Sequence, residues 1–464
     1  MVGSIAINKI DAESAKMIDL AQKMWDTPET AYNEVNACKW TAEILKEYGF
    51  EVTVGAFNLP TCVVGRYGSG HPVIGLLGEL DALPGLSQKV QTTKEAVCEG
   101  APGQGCGHNL LNVACLAGAI GVKEEMEKTG MAGTIIFYGC PAEEVLTGKV
   151  FMAREGAFNE LDACFAWHGN AFNMTANSVS NGLNSAIFHF KGRTAHAGGD
   201  PHNGRSALDA AELMSVGANY LREHVTSDIR IHYSYKEAGT APNIVPDKAA
   251  VWYYVRGLSR ENIENTYDRL VKVAEGAAHM TETELEIEFL GGCYNTMPCT
   301  YMSKLATEAM NEIGVPTYTE EELKFADELN HNSPRFEALQ NDPVLKNGPI
   351  YNIVKPYEWD TTVGGGSTDV ADVMAICPTT MIRTATYNYA APGHSWQIAA
   401  CAGMSIGYKG MLFGAKACAV SALKMFADPK HLEEAKKEWN QLMAGRTYKC
   451  PIPKEIPIPQ PVAK

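Results

Sequence analysis

The chain has 464 residues, of which 45% are hydrophobic and 20% charged, a composition that is typical of globular proteins and excludes a disordered chain. Its length predicts two domains. The net charge of −15 at pH 7 excludes nucleic acid and an anionic membrane surface as main partners.

The N-terminal segment and the cysteines indicate the compartment. Residues 1–17 lack the basic and apolar regions of a signal peptide, and no apolar run is long enough to cross a bilayer. The 13 cysteines are odd in number and follow no regular spacing, which favours reduced thiols over a disulfide framework. These features predict a cytoplasmic location.

The first part of the chain alternates helical and strand patterns. Residues 12–49 have apolar positions at helical spacing, interrupted near Pro28. Three strand-like runs follow, at residues 51–54, 61–67 and 72–77. The third run ends in a turn that carries two acids, Glu79 and Asp81. Acids are common in turns, so this turn alone is only a weak indication of function.

A glycine-rich loop closes with Cys106 and His108 and leads into a helix-like run at residues 110–128. A thiolate and an imidazole in such a loop can face one point, which suits zinc or a similar transition metal. Two alternatives remain open from these residues alone. One is a nucleophilic cysteine with a histidine base, although residues two apart seldom reach that geometry. The other is a buried cysteine beside a helix-capping histidine.

Two adjacent acids follow an apolar run in the sequence TIIFYGCPAEE. Residues 135–138 are β-formers without helical spacing, and after Pro141 the run ends in Glu143 and Glu144. Adjacent carboxylates repel, and a divalent cation would offset the repulsion by binding one acid while the other moves protons. The alternative is that both acids open an exposed helix, whose positive end suits negative charge.

Histidines follow two further strand-like runs. Residues 161–167 end on His168, and residues 379–385 are followed by a loop that leads to His394. Each histidine alone would be explained by a hydrogen-bonded core position. Together, the junctions of strand and loop carry the residue types that a metal site requires, namely Cys106, His108, Glu143, Glu144, His168 and His394.

The segment from about residue 184 to 299 predicts an inserted domain, with strands at 185–190 and 249–255 and a helix at 206–220. After it, residues 317–360 are acidic and lack a clean period. They predict an irregular insertion over one face that shapes the substrate pocket.

A glycine-rich stretch, GGGSTD, follows at residues 364–369. Three glycines allow close backbone approach, and Ser367 and Asp369 could grip a substrate or cap the next helix. We predict the cap for Asp369. The proline-rich end, residues 450–464, predicts an extended tail.

Five motifs occur in order along the chain: GQGCGHNLL, YGCPAEE, GRTAHAGGDPHNGRSALDAAELM, APNIVPD and GGGSTDVADV. These motifs and their order resemble the M20 metallopeptidase family, which contains aminoacylases and glutamate-releasing carboxypeptidases. The similarity is to its amidohydrolase branch and covers nearly the whole chain. It implies an α/β fold with a metal-dependent exopeptidase-like catalytic domain, in which helices flank a mixed sheet. It also implies an inserted α+β lid and dimerisation domain at residues 184–299, between catalytic parts 1–183 and 300–464.

The resemblance also implies roles for individual residues. The matching metal ligands are Cys106, His108, Glu144, His168 and His394. Glu143 matches the general base, and Asp81 matches the acid that supports the site. Glu79 stands where other members place a metal-binding histidine. His196 matches the lid histidine that stabilises the oxyanion, often in the partner's site. The matching substrate positions are Asn243, Arg256, Gly365, Gly366 and Ser367.

The implied activity is metal-dependent hydrolysis of p-aminobenzoyl-glutamate to p-aminobenzoate and glutamate. It would use one or two Zn²⁺ or Mn²⁺ ions per subunit, in a homodimer or in a heteromer with a paralogous subunit. One alternative keeps the chemistry but changes the substrate to a dipeptide, an N-acyl-amino acid or an indole-3-acetyl conjugate. Another is a non-catalytic partner subunit of a hetero-oligomeric hydrolase, because Glu79 replaces the family's histidine.

Overall fold

The computed structural model describes residues 2–462, in which 11 strands form two sheets and 15 α-helices pack around them. The strands are β1 (Glu51–Val54), β2 (Val63–Ser69), β3 (Val73–Glu79), β4 (Gly133–Cys140), β5 (Ala163–Asn170), β6 (Met174–Thr175), β7 (Gly182–Lys191), β8 (Arg230–Ala238), β9 (Lys248–Gly257), β10 (Glu284–Cys293) and β11 (Thr379–Ala385).

The helices alternate with these strands along most of the chain. They are α1 (Ser4–Ala12), α2 (Ser14–Asp26), α3 (Val35–Glu47), α4 (His108–Thr129), α5 (Gly148–Arg154), α6 (Ala207–Leu221), α7 (Arg260–Thr281), α8 (Thr300–Ile313), α9 (Glu320–His331), α10 (Phe336–Leu339), α11 (Pro343–Asn347), α12 (Val370–Met374), α13 (Trp396–Ala402), α14 (Ser405–Ala427) and α15 (Pro429–Met443).

The larger sheet has seven strands in the order β1, β2, β4, β3, β5, β11, β6. Strands β3, β4, β5 and β11 run parallel, whereas β1, β2 and β6 pair antiparallel with their neighbours. This is the mixed sheet that the sequence predicts. Because the four central strands are parallel, their carboxyl ends, and the loops that leave them, lie at one edge of the sheet.

Helices cover both faces of this sheet, so its central strands are buried. Every residue of β3 and β4 is buried, which explains why their sequences are continuous apolar runs rather than alternating ones. Helix α14 is long and apolar enough to cross a membrane, but 78% of its most apolar window is buried inside the protein, where it packs against α4. It is therefore a core helix of the domain.

The smaller sheet has four antiparallel strands in the order β10, β7, β9, β8. Helices α6 and α7 pack on one of its faces around a separate apolar core that includes Phe188, Tyr253 and Leu270. The burial of β10 alternates along the strand, as expected for a sheet with one face toward solvent. All of these strands lie within residues 182–293.

The predicted strands and long helices are confirmed, with most ends shifted by no more than two or three residues. The prediction of an irregular segment at 317–360 is wrong, because it contains α9, α10 and α11. The start of α9 has a capping box, in which Thr319 and Glu322 bond to each other's backbone N–H groups. The described part of the tail, residues 450–462, contains no helix, as predicted.

Candidate metal centre and substrate cavity

The acidic turn after β4 is buried at the edge where the parallel strands end. Glu143 is 8% exposed and precedes α5 by several residues, so the alternative that the two acids open an exposed helix is wrong. The turn fits closely around Gly148, where a Cβ atom would lie 1.6 Å from the carbonyl oxygen of Pro141. This turn therefore needs glycine, and it directs both acids toward the ends of β3 and β5.

The structure brings together all five predicted metal ligands, with Glu143 and Glu79 beside them. Cys106 Sγ lies 3.3 Å from His168 Nε2. Glu144 lies 3.8 Å from His108 Nε2 through Oε1 and 3.6 Å from His394 Nε2 through Oε2. Ligands of one tetrahedral zinc ion are separated by about 3.3 to 3.8 Å, given metal bonds of 2.0 to 2.3 Å. The spacing of these atoms therefore fits metal coordination.

The candidate ligand atoms form three overlapping groups, in each of which the atoms lie within 4.8 Å of one another. The groups are Cys106, His108 and His168; Cys106, Glu144 and His394; and Glu79, His108 and Glu143. One sulfur, three imidazoles and carboxylates suit a borderline divalent transition metal. Cys106 and His108 each belong to two of these groups.

Three atoms of this cluster are buried without a hydrogen-bond partner among the described residues. They are His108 Nε2, Glu79 Oε2 and Glu144 Oε1. An unsatisfied buried polar atom costs about 1 to 3 kcal/mol, and more if it is charged. Coordination to a divalent cation would satisfy His108 Nε2 and Glu144 Oε1, which lie 3.8 Å apart, so the residues that are present fit a metal centre.

Asp81 fixes two of the ligands from behind. His108 Nδ1 lies 3.0 Å from the carbonyl oxygen of Asp81 and 3.2 Å from its Oδ1, and the backbone N–H of Glu144 donates to Oδ2 at 2.9 Å. A proton on Nδ1 leaves the lone pair of His108 Nε2 free for a metal. His168 follows the same pattern, since its Nδ1 donates to the carbonyl of Gly169 at 2.6 Å.

The electrostatics of the cluster favour bound positive charge. Burial lowers the pKa of His168 to about 4, which keeps this imidazole neutral. Burial would also lower the pKa of His108, but Cys106 and Asp81 raise it well above its ordinary value. Burial, followed by the charge of Glu79, raises the pKa of Glu143 well above its ordinary value. A raised pKa makes this carboxylate a better proton acceptor, as a general base requires.

Cys106 is poorly suited to act as the nucleophile. Burial raises the pKa of this thiol to about 12, and the nearby Glu144 adds to that effect. Nucleophilic cysteines have lowered pKa values in electropositive surroundings. A bound cation would stabilise the thiolate, so the metal-ligand role is favoured.

Glu79 belongs to a buried charged triad that the sequence did not reveal. Lys149 Nζ donates to Glu79 Oε1 and to Asp369 Oδ1, both at 2.7 Å, and all three side chains are at most 4% exposed. The prediction that Asp369 caps the next helix is wrong, because its carboxylate accepts from the side chain and backbone N–H of Lys149. The triad fixes Glu79 so that its Oε2 faces His108 Nε2 at 3.3 Å.

A cavity of about 600 Å³ opens above the cluster. Its walls include Cys106, Glu144, His168 and His394 and, from the other sheet, Arg256. Gly365, Gly366 and Ser367 line it, although the hydroxyl of Ser367 already donates to the carbonyl of Asn181 at 2.7 Å. Arg383, on β11, also lines the cavity, and the sequence did not single it out.

Sequence comparison identifies the family. Residues 180–281 match the peptidase dimerisation domain of the M20 family. The chain is 38% identical to a subunit of p-aminobenzoyl-glutamate hydrolase from Escherichia coli, over 98% of each chain. The chain belongs to the M20 family. It is therefore a hydrolase of the class of metal-dependent amidohydrolases and peptidases that act on amide bonds.

More distant relatives share the fold. A crystal structure of an aminobenzoyl-glutamate utilization protein from Klebsiella pneumoniae covers 89% of this chain and 97% of its own, with a TM-score of 0.59 and 18% identity. A dinuclear metal-binding M20 peptidase from Bacillus subtilis covers 90% of this chain and 99% of its own, with a TM-score of 0.57 and 17% identity. A mouse Xaa-Arg dipeptidase is 26% identical over 97% of this chain and 93% of its own.

In this M20 chain the two remaining predicted residues lie outside the cavity of their own subunit. His196 is exposed in the turn after β7, and its Nδ1 accepts from the backbone N–H groups of Gly198 and Gly199 at 3.1 and 2.9 Å. Asn243 is also exposed, and its carbonyl accepts from the N–H of Ala197 at 3.0 Å. The structure thus brings His196 and Asn243 near each other but away from the metal-ligand cluster.

Proposed function

We propose that the chain hydrolyses p-aminobenzoyl-glutamate to p-aminobenzoate and glutamate. The observation that carries the proposal is the buried cluster around Glu143, at the base of a cavity that contains arginine. The substrate follows the Escherichia coli relative, which is named as part of a p-aminobenzoyl-glutamate hydrolase and whose similarity spans 98% of both chains.

The ligands that would hold one or two Zn²⁺ or Mn²⁺ ions are Cys106, His108, Glu144, His168 and His394. When bound, the metal supplies Lewis-acid chemistry by polarising the amide carbonyl and acidifying water. Glu143 takes the proton of the attacking water and then returns it to the leaving nitrogen. Asp81 and the triad of Glu79, Lys149 and Asp369 are positioning residues. Arg256 binds a substrate carboxylate, for which its planar fork is suited.

We assign to His196 the stabilisation of the oxyanion in a neighbouring subunit. Two backbone N–H groups donate to its Nδ1, so the ring proton lies on Nε2, which is free to donate outward. One such donor typically contributes about 10² to 10³ in turnover. Asn243 would reach the same site, because its backbone is joined to the His196 turn.

Dimerisation would proceed through an inserted lid domain at residues 184–299, between catalytic parts 1–183 and 300–464. Helix α6 exposes an apolar stripe of Leu213, Val216 and Tyr220, which are 37%, 50% and 69% exposed. Such stripes mark protein interfaces. We propose a homodimer; a heteromer with a paralogous subunit is the second candidate, because two relatives from Escherichia coli are named as different subunits of one hydrolase. The cytoplasmic location stays a prediction from the sequence.

The test is release of p-aminobenzoate by the purified chain before and after metal removal. We expect the chelator-treated chain to be inactive and added Zn²⁺ or Mn²⁺ to restore release, because the ligand cluster cannot polarise the carbonyl without a cation. Chromatography of p-aminobenzoate and metal analysis of the same samples provide the measurement. No release from any metal-loaded sample would refute the proposed substrate.

Two further measurements separate the alternatives. A panel of dipeptides, N-acyl-amino acids and indole-3-acetyl conjugates compares substrates at constant metal content, since the relatives include a dipeptidase and an indole-3-acetyl-aspartic acid hydrolase. Hydrolysis that begins only when a second, paralogous chain is added would favour the non-catalytic partner role.

A further inference from the structure

Arg383 projects into the cavity from the same face of the sheet as a predicted metal ligand. It lies on β11 opposite His168 of β5 in the parallel register, so the two side chains share a face. Met381, two residues earlier on that face, also lines the cavity. The guanidinium of Arg383 is therefore placed by the central sheet rather than by a mobile loop.

This guanidinium has no partner of its own. Within residues 2–462, no carboxylate lies within 4.0 Å of Arg383 and its side chain donates no hydrogen bond, while burial lowers its pKa. The carboxylates of Glu143 and Glu144 lie within 4 Å of His108 instead. Arg383 is partly exposed and lines the cavity, so its donors are open to a ligand there.

Arg260 shows how this chain treats a buried arginine with a structural role. Its guanidinium donates to the carbonyls of Leu183 and Cys293, at 3.0 Å each, and also pairs with Asn184 and Glu264. Every face of that group is satisfied by the protein. Arg383 lacks any equivalent contact, so its donors remain free to bind an anion that enters the cavity.

Arg256 is a second arginine of the cavity whose hydrogen-bond donors are not all satisfied by the protein. Its Nε is buried without a partner, and its Nη1 makes only a long contact of 3.5 Å with the carbonyl of Gly365. It comes from β9 of the smaller sheet, whereas Arg383 comes from β11 of the larger one. The cavity is thus lined by two arginines whose donors are not all satisfied by the protein, in a chain whose net charge is −15.

We propose that Arg383 determines specificity by binding the side-chain carboxylate of a dicarboxylic amino acid, while Arg256 binds the α-carboxylate. This rests on the proposed function for the position of the scissile amide. It selects amides of glutamate-like amino acids over amides of neutral ones. A bidentate hydrogen bond to a carboxylate would satisfy the planar guanidinium.

The experiment compares p-aminobenzoyl-glutamate with p-aminobenzoyl-glutamine, which differ only in the charge of the side-chain terminus. In Arg383→Met we expect KM for the glutamate substrate to rise about 10- to 100-fold, as for loss of a charged hydrogen bond, with kcat nearly unchanged. KM for the glutamine substrate should change by less than about threefold. Arg383→Lys should recover part of the glutamate preference, because it restores the charge without the fork.

Arg256→Met is the matched comparison, because it should weaken the binding of both substrates equally. An equal loss for both substrates in Arg383→Met would overturn the proposal, because Arg383 would then contact a group that both substrates share. Metal content and thermal unfolding are measured on each variant. If Arg383→Met does not fold, the ratio of KM values for the two substrates in Arg383→Lys tests whether Arg383 sets the preference for glutamate.

Calorimetric binding of L-glutamate and L-glutamine to the metal-loaded chain makes the test independent of turnover. Wild type should prefer L-glutamate, Arg383→Met should lose that preference, and Arg383→Lys should retain part of it. If wild type hydrolyses neither amide but prefers L-glutamate, the proposed function fails and the Arg383 site stands. Equal binding of both amino acids by wild type would overturn the site itself.

Discussion

The polar side chains of the metal-ligand cluster and of the His196 turn differ in their burial and in their hydrogen-bond partners. In the cluster, Asp81, His108 and Lys149 are completely buried, and protein atoms orient each of them. In the turn, His196 is exposed and its ring accepts hydrogen bonds from the backbone N–H groups of Gly198 and Gly199 in the same turn. The difference teaches that a single chain preorganises the groups that we propose for metal binding and proton transfer. The proposed oxyanion donor would need another surface to place it over a site.

The stability of the fold depends on the ion pairs of the buried cluster. Removing one partner of a buried pair costs about 3 to 5 kcal/mol, because the other charge remains without compensation. The Glu79, Lys149 and Asp369 triad therefore ties site geometry to folding. Exposed residues of the turn carry no such constraint, so their substitution should change function without changing stability.

The largest expected effect is that of Glu143→Gln, which tests the buried region alone. The amide keeps the size of the side chain but cannot accept a proton, so turnover should fall by about 10² to 10⁴ while metal content stays constant. Rate assays and metal analysis on one preparation provide the measurement. Glu99→Gln, at an exposed position, is the control. Retained activity in Glu143→Gln would show that another group is the base.

The next effect tests the exposed region. His196→Ala should lower turnover by about 10² to 10³ with no change in metal content or thermal unfolding, because only an oxyanion donor is lost. His202→Ala, in the same exposed segment, is the control and should remain active. An active His196→Ala variant would exclude this histidine from catalysis.

Mixing His196→Ala with Glu143→Gln sharpens the comparison between the two regions. A hybrid dimer pairs an intact metal site on one chain with an intact histidine on the other, so up to roughly half of wild-type activity should return. If exchange of chains between dimers is confirmed independently and no activity returns, donation between subunits is refuted.

The sequence predicted the parts of the molecule that depend on local pattern. Apolar runs located β4, β5 and β11, and the residues after them located Glu143, Glu144, His168 and His394. Lys149 and Arg383 were missed because each is a single charged residue within an otherwise apolar run. The role of Lys149 depends on contacts with residues that are distant in sequence, and the role of Arg383 depends on the lack of such contacts. The role of Asp369 was mistaken for the same reason, since its N-cap position concealed the bond to Lys149.

The smallest expected effect concerns Asp81, which supports the ligands without being one of them. Asp81→Asn keeps an oxygen for the backbone N–H of Glu144 but removes the charge that orients His108 Nδ1–H. Loss of such a supporting carboxylate typically weakens metal affinity by about 10- to 100-fold. Competition with a coloured chelator measures that affinity directly. Asp162→Asn is a close control, because the Asp162 carboxylate also bonds to a histidine Nδ1, at 2.6 Å, and to a backbone N–H, at 2.8 Å, but on the surface. Equal affinities in both variants and wild type would mean that Asp81 serves packing rather than the metal.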